Sequence, residues 1–90
     1  MRVLIVEDEQ IIAADLADQL SALGHEVLGI ADCEEDALAL AEQKRPELTT
    51  IDLSLRGQFC GHRIAGELRE RYNTAVVFRA WQPRDVEACR

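Results

Sequence analysis

Arg2-Val3-Leu4-Ile5-Val6-Glu7-Asp8 opens the chain with a run of aliphatic residues that stops on two adjacent acids. A second run, Leu48 to Ile51, stops the same way on Asp52. Short apolar runs of this kind read as strands buried on both faces of a parallel sheet. A carboxylate at the end of such a strand sits at the rim of the sheet, where open α/β folds place their ligand sites. Two such strands side by side would gather Glu7, Asp8 and Asp52 into one acidic pocket.

The rest of the chain supports that sheet. Ile12, Leu16, Leu20 and Leu23 recur at helical spacing after the first run, and Gly24 supplies a C′ stop. Val27 to Ile30 reads as a second strand. Asp32 offers an N-cap oxygen with Glu35 three residues on, and Ala37, Leu38, Leu40 and Ala41 carry a second helix that Pro46 ends. Leu48–Asp52 is the third strand, and Ser54 to Gly61 a loop. Ile64, Ala65, Leu68 and Tyr72 mark a third helical face, and Ala75–Phe78 a fourth strand. Pro83 would open a short last helix, with Asp85 and Glu87 near its positive end. The order βαβαβαβ(α) predicts an α/β fold with right-handed crossovers and a parallel sheet covered on both faces.

Ninety residues make one domain with one core, residues 1–90, and a composition of 48% hydrophobic and 30% charged residues is that of a globular chain. The net charge of −7 argues against nucleic-acid backbone as a direct partner and suits a protein that handles a cation or a basic partner. No apolar stretch approaches the roughly 20 residues that a membrane helix needs. The N-terminus lacks the features of a secretory signal, so a cytoplasmic location without membrane contact is expected. Cys33, Cys60 and Cys89 are odd in number with no C-x-x-C spacing, and read as free thiols. His25 and His62 have no ligand partner at metal spacing. Glu67, Arg69, Glu70 and Arg71 read as a solvated helix face with weak ion pairs.

Three carboxylates packed in a partly dry site repel, and at least one pKa rises unless a cation intervenes. Magnesium prefers oxygen ligands, keeps several waters and takes one or two carboxylates plus a phosphate, so the pattern suggests magnesium and phosphoryl chemistry.

Val3-Leu4-Ile5-Val6-Glu7-Asp8-Glu9 resembles the opening of a bacterial two-component response-regulator receiver domain. Pro46-Glu47-Leu48, with Asp52-Leu53-Ser54-Leu55 and Gly57, resembles that family's phosphoacceptor region, and Gly61 to Leu68 and Val76-Val77-Phe78 resemble its third helix and fourth strand. The resemblance runs from residue 2 to about residue 78. It implies a doubly wound, flavodoxin-like sheet of order 2-1-3-4, with the family's strand 5 and helix 5 missing. It implies that Asp52 accepts a phosphoryl group from a phosphohistidine on a sensor histidine kinase or phosphotransfer protein. Glu7, Asp8, Asp52 and the backbone carbonyl of Ser54 would then hold Mg2+, and the output would be contact with a downstream protein, with no enzymatic activity of its own.

The chain departs from the family in two places. The Thr or Ser that ends the family's fourth strand aligns with Ala80, which has no hydroxyl to donate. Arg79 before it replaces a usually apolar residue; solvent exposure is the simpler reading, and donation to the phosphoryl group stays open. Trp81 reads equally as core or as partner-facing. The family's phosphoryl-contacting Lys is also lacking, since the only lysine, Lys44, lies near the end of the second helix. An uncovered fourth strand and an apolar face beside the first helix predict a homodimer or a domain-swapped assembly. The competing expectation is a degenerate receiver that binds or dimerises without phosphorylation. Aspartate phosphatases need an Asp-x-Asp where this chain has Glu7-Asp8-Glu9, and Gln10-Ile11-Ile12 is not a nucleotide-binding turn.

Overall fold

The structure is a computed structural model that describes residues 1–52 and 61–79. Ser54, Cys60, Ala80, Trp81, Cys89, most of the expected loop and the short helix expected after Pro83 lie outside the described residues.

Seven elements follow one another: β1 (Arg2–Val6), α1 (Gln10–Ala22), β2 (Glu26–Ala31), α2 (Glu34–Lys44), β3 (Leu48–Asp52), α3 (Gly61–Tyr72) and β4 (Ala75–Arg79). Every strand pair is parallel and the sheet order is β2-β1-β3-β4, the order expected. Parallel pairing sends all four C-terminal strand ends to the same rim.

Alternation along β1 splits its side chains between two faces. Leu4 and Val6 join Ala31 of β2 and Ile51 of β3 in a core with Ala37 and Ala41 of α2 and Ile64, Ala65 and Leu68 of α3. Val3 and Ile5 point the other way and are equally buried. α1 packs against β1 and β2, and among the described residues it does not meet α2 or α3. α2 and α3 thus cover one face of the sheet, while on the other face α1 covers β1 and β2 and, among the described residues, no helix meets β3 or β4. On the α2 and α3 side, Thr49 lies in the same interior and its hydroxyl shares a 3.1 Å hydrogen bond with that of Thr74, which satisfies both buried groups.

Local chemistry sets the element ends. Gly24 takes φ +94°, the left-handed turn that lets the chain leave α1 for β2. A bulge opposite Val3 and Leu4 inserts one extra residue into β2, and Gly29 just beyond it admits the Leu40 side chain, which a Cβ there would meet at 3.1 Å. Pro46 follows Arg45, which leaves the helix in the left-handed region at φ 50°. The Arg2 guanidinium donates to the carbonyls of Lys44 and Arg45, the latter at 2.9 Å, and so caps that helix end across the sheet.

Three local expectations are corrected. The N-cap of α2 is Cys33, not Asp32, and no side chain caps it. The backbone stays extended through Cys33, so Glu34, Glu35 and Asp36 fall in the first turn and complement the helix dipole instead. Gly61 starts α3 and does not close the loop. The inward stripe expected for α1 is weaker than its period suggests. Ala13 is its one fully buried residue, Leu16 and Leu20 are half-buried, Ile12 is 37% exposed and Leu23 is 74% exposed. Leu23 follows the helix as its C-cap, where the helical period no longer aims the side chain.

Candidate functional site

Strand order decides the site. β1 lies between β2 and β3, and Val6 pairs with Ile51, so the residue after each sits at the same level on the rim. The Glu7 N–H donates to the Ala31 carbonyl at 2.9 Å, which carries the ladder one residue past the end of β1 and fixes where the Glu7 side chain starts. Asp8 then turns towards α1. Asp52 is the last residue of β3.

The structure brings Glu7, Asp8 and Asp52 together. One oxygen from each carboxylate lies within 4.8 Å of the others. Glu7 and Asp52 are 1% and 3% exposed, and Asp8 is half-buried. Burial away from water is the largest cause that pushes the Glu7 carboxyl from an ordinary 4.5 up to about 7, and the Asp52 carboxylate adds to it through a hydrogen bond and like charge. The Glu9 N–H, 3.3 Å from Glu7 Oε2, pulls the other way.

A fourth side chain enters this pocket against expectation. Arg79 is not turned to solvent: its Nη1 donates to Glu7 Oε1 at 3.0 Å, and its side chain is 34% exposed. The reason is register. Arg79 is the β4 partner of Asp52, so it stands at the same rim beside the acids. Alternation from the core-facing Val76 and Phe78 was the available signal that Arg79 leaves that face, but the strand register that aims it was not readable locally. Ser54 and Ala80, the other two expected site positions, lie outside the described residues.

The donor set is hard and anionic, and its buried carboxylates hold like charges close together in a site poor in water. A small divalent cation with oxygen preference relieves that conflict, so Glu7, Asp8 and Asp52 fit magnesium. Asp32, Cys33 and Asp36 form a second group of similar spacing, but its two acids are exposed and lie about the start of α2, where they complement the helix dipole. His25 accepts from the N-terminal amine at its Nδ1, 3.0 Å away, if that nitrogen is the unprotonated one, and the His62 ring lies 5.0 Å from that of Phe78. Neither histidine belongs to either of these groups.

Comparison with known proteins gives a consistent answer. The family profile described as the response regulator receiver domain matches residues 3–87. The transcriptional regulatory protein PdtaR of Mycobacterium tuberculosis is 37% identical over 86 residues, which cover 94% of this chain and 42% of PdtaR. The signal receiver domain of a modulated diguanylate cyclase from Desulfovibrio desulfuricans G20 superposes with a TM-score of 0.83 at 38% identity, over 97% of this chain and 69% of that one. PhyR of Bartonella quintana, solved in complex with the anti-sigma factor NepR, gives a TM-score of 0.80 at 32% identity, over 92% of this chain and 35% of that one. The chain spans less than half the length of the curated relatives it matches. No helix among the described residues is long and apolar enough to cross a membrane.

Proposed function

This chain belongs to the response regulator receiver family, and from that premise we propose that it is a phosphoacceptor module in which Asp52 takes a phosphoryl group from a phosphohistidine. The donor is a sensor histidine kinase or a phosphotransfer protein. One Asp52 carboxylate oxygen attacks phosphorus in line, the P–N bond breaks, and the imidazole nitrogen keeps the electron pair and takes up a proton. Glu7, Asp8 and Asp52 would hold Mg2+, with the Ser54 carbonyl as the further ligand that the family resemblance implies. When bound, the ion offsets the negative charge that builds on the phosphoryl oxygens. Burial of Glu7 and Asp52 strengthens the electrostatic contacts that these two carboxylates make.

The observation that carries this reading is the convergence of three carboxylates within 4.8 Å at one rim, two of them buried. Three acids so placed repel one another, the single charge of Arg79 offsets only part of that repulsion, and a divalent cation would offset the rest, so the cluster makes sense as a functional site. The alternative of a degenerate, phosphorylation-independent module draws on Ala80, which offers no hydroxyl. The test is intact mass after incubation with Mg2+ and acetyl phosphate. One added phosphoryl group, absent in Asp52→Asn, supports the phosphoacceptor; no uptake by a folded protein supports the degenerate module.

Residues 1–90 act here as one receiver domain in the cytoplasm, and the signal leaves by protein contact. Among the described residues β4 has a strand neighbour on one side only, and Val77 on it is 50% exposed. A strand edge with an apolar residue, where it is exposed, favours pairing with a second copy or with a downstream protein. Light scattering that finds only monomer at high concentration, before and after phosphorylation, rejects the homodimer and the domain swap.

A further inference from the structure

We propose that Arg79 is the phosphoryl-binding cation of this domain, held on Glu7 until Asp52 is phosphorylated and transferred to the phosphoryl oxygens afterwards. The inference rests on the phosphoacceptor reading of Asp52.

Position is the first argument. Asp52 and Arg79 are register partners at the ends of adjacent parallel strands, whose backbones run about 4.8 Å apart. A group built onto the Asp52 carboxylate therefore grows at the level of the Arg79 side chain. The guanidinium already reaches the pocket, since Nη1 lies 3.0 Å from Glu7 Oε1, and that carboxylate has an oxygen within 4.8 Å of one on Asp52. The guanidinium therefore has a short way to go from one acid to the other.

Charge is the second argument. Conversion of a carboxylate into an acyl phosphate adds roughly one negative charge and three acceptor oxygens at the Asp52 position. A planar guanidinium binds a phosphoryl group through two parallel N–H···O bonds, a geometry that it forms better than an ammonium does. Arg79 is half-buried, so it is close enough to the acids to be attracted and sufficiently solvated to reorient. The transfer also frees Glu7 Oε1 from its bond to Arg79. The residue after Arg79 is alanine and donates nothing from its side chain, so the arginine is the donor that β4 brings to the rim.

The test uses beryllofluoride, a phosphoryl mimic that coordinates to an aspartate carboxylate, on the full 90-residue chain with Mg2+. Fluorine NMR measures its affinity for wild type, Arg79→Ala and Arg79→Lys, and nitrogen NMR follows the Arg79 side-chain signals in the wild type. The expected result is a loss of about tenfold or more in beryllofluoride affinity for Arg79→Ala, partial recovery in Arg79→Lys, and a shift of the wild-type Arg79 signals when the mimic binds. Equal affinity of wild type and Arg79→Ala, or Arg79 signals unmoved by the mimic, overturns the role of Arg79 and leaves Asp52 as phosphoacceptor. Failure of the wild type to bind the mimic or to take up phosphoryl from acetyl phosphate overturns the reading of Asp52, and the inference with it. The side-chain NMR needs no substitution, so it decides the matter even if Arg79→Ala does not fold.

Discussion

Glu7 and Arg79 are 72 positions apart in the chain, and their side chains meet at 3.0 Å beside Asp52. The contact joins the end of β1 to the end of β4 across β3, and it places a cation on a carboxylate that is itself cut off from water. A double-mutant cycle with Glu7→Gln and Arg79→Gln should give a coupling of about 1–2 kcal/mol in the metal-free protein, below the upper range for charge-assisted pairs because Arg79 keeps contact with solvent. Urea unfolding of the four variants measures it, and additive effects would show that the pair contributes nothing to stability.

Glu7 also makes stability depend on pH. Its carboxyl is raised to about 7 in the fold against an ordinary 4.5, so between these values the folded state holds a proton that the unfolded chain releases. The stabilisation is complete below about 4.5 and is lost as the pH rises through about 7. Metal-free protein should therefore melt at progressively lower temperature across that window, Glu7→Gln should flatten the slope, and Mg2+ should raise the melting temperature most at the alkaline end. A metal-free wild type that melts at the same temperature from pH 5 to about 8 would contradict the shift.

The Thr49 and Thr74 hydroxyls satisfy each other in a buried place. Thr74→Val leaves the Thr49 hydroxyl without that partner and should cost about 1–3 kcal/mol, whereas Thr49→Val combined with Thr74→Val should recover part of the loss. Chemical denaturation of the single and double variants separates the two outcomes.

Gly24 has open space where a Cβ would lie, so any effect of substitution there comes from the backbone alone. At φ +94° an alanine is strained, and Gly24→Ala should destabilise the domain by about 1–2 kcal/mol, with Gly24→Asn less affected. Equal stability of Gly24→Ala and wild type in thermal melts would mean that the turn adjusts freely.

Two leucines of similar sequence character should respond in opposite ways. Leu68 is fully buried in the α3 core, and Leu68→Ala should cost about 2–5 kcal/mol. Leu23 is 74% exposed, and Leu23→Ser should stay within about 0.5 kcal/mol in the isolated monomer. A large loss for Leu23→Ser that grows with protein concentration would place that residue in an interface between copies.

Much of the architecture was legible because it rests on local rules. A period of two or an unbroken apolar run marks a strand, a period near 3.6 marks a helix, and Gly24 and Pro46 stand where the helices stop. Leu48–Asp52 was placed residue for residue, and α3 buries three of the four residues named for it, with Tyr72 half-buried against the core. The cap of α2 was not legible, because Asp32 and Cys33 both precede a good helix and the extended path out of β2 chooses between them. The exposure of Leu23 was hidden for a similar reason: the end of α1, one residue earlier, is set by how the chain turns into β2.

The order of elements in the sequence by itself determined that the acids after β1 and at the end of β3 share a rim, because parallel strands joined by helical crossovers all finish on the same side. Only the tertiary structure decided which basic group joins them. That choice depends on β4 lying beside β3 with Arg79 level with Asp52, a register set by packing between distant segments and not by the residues next to Arg79 in the chain.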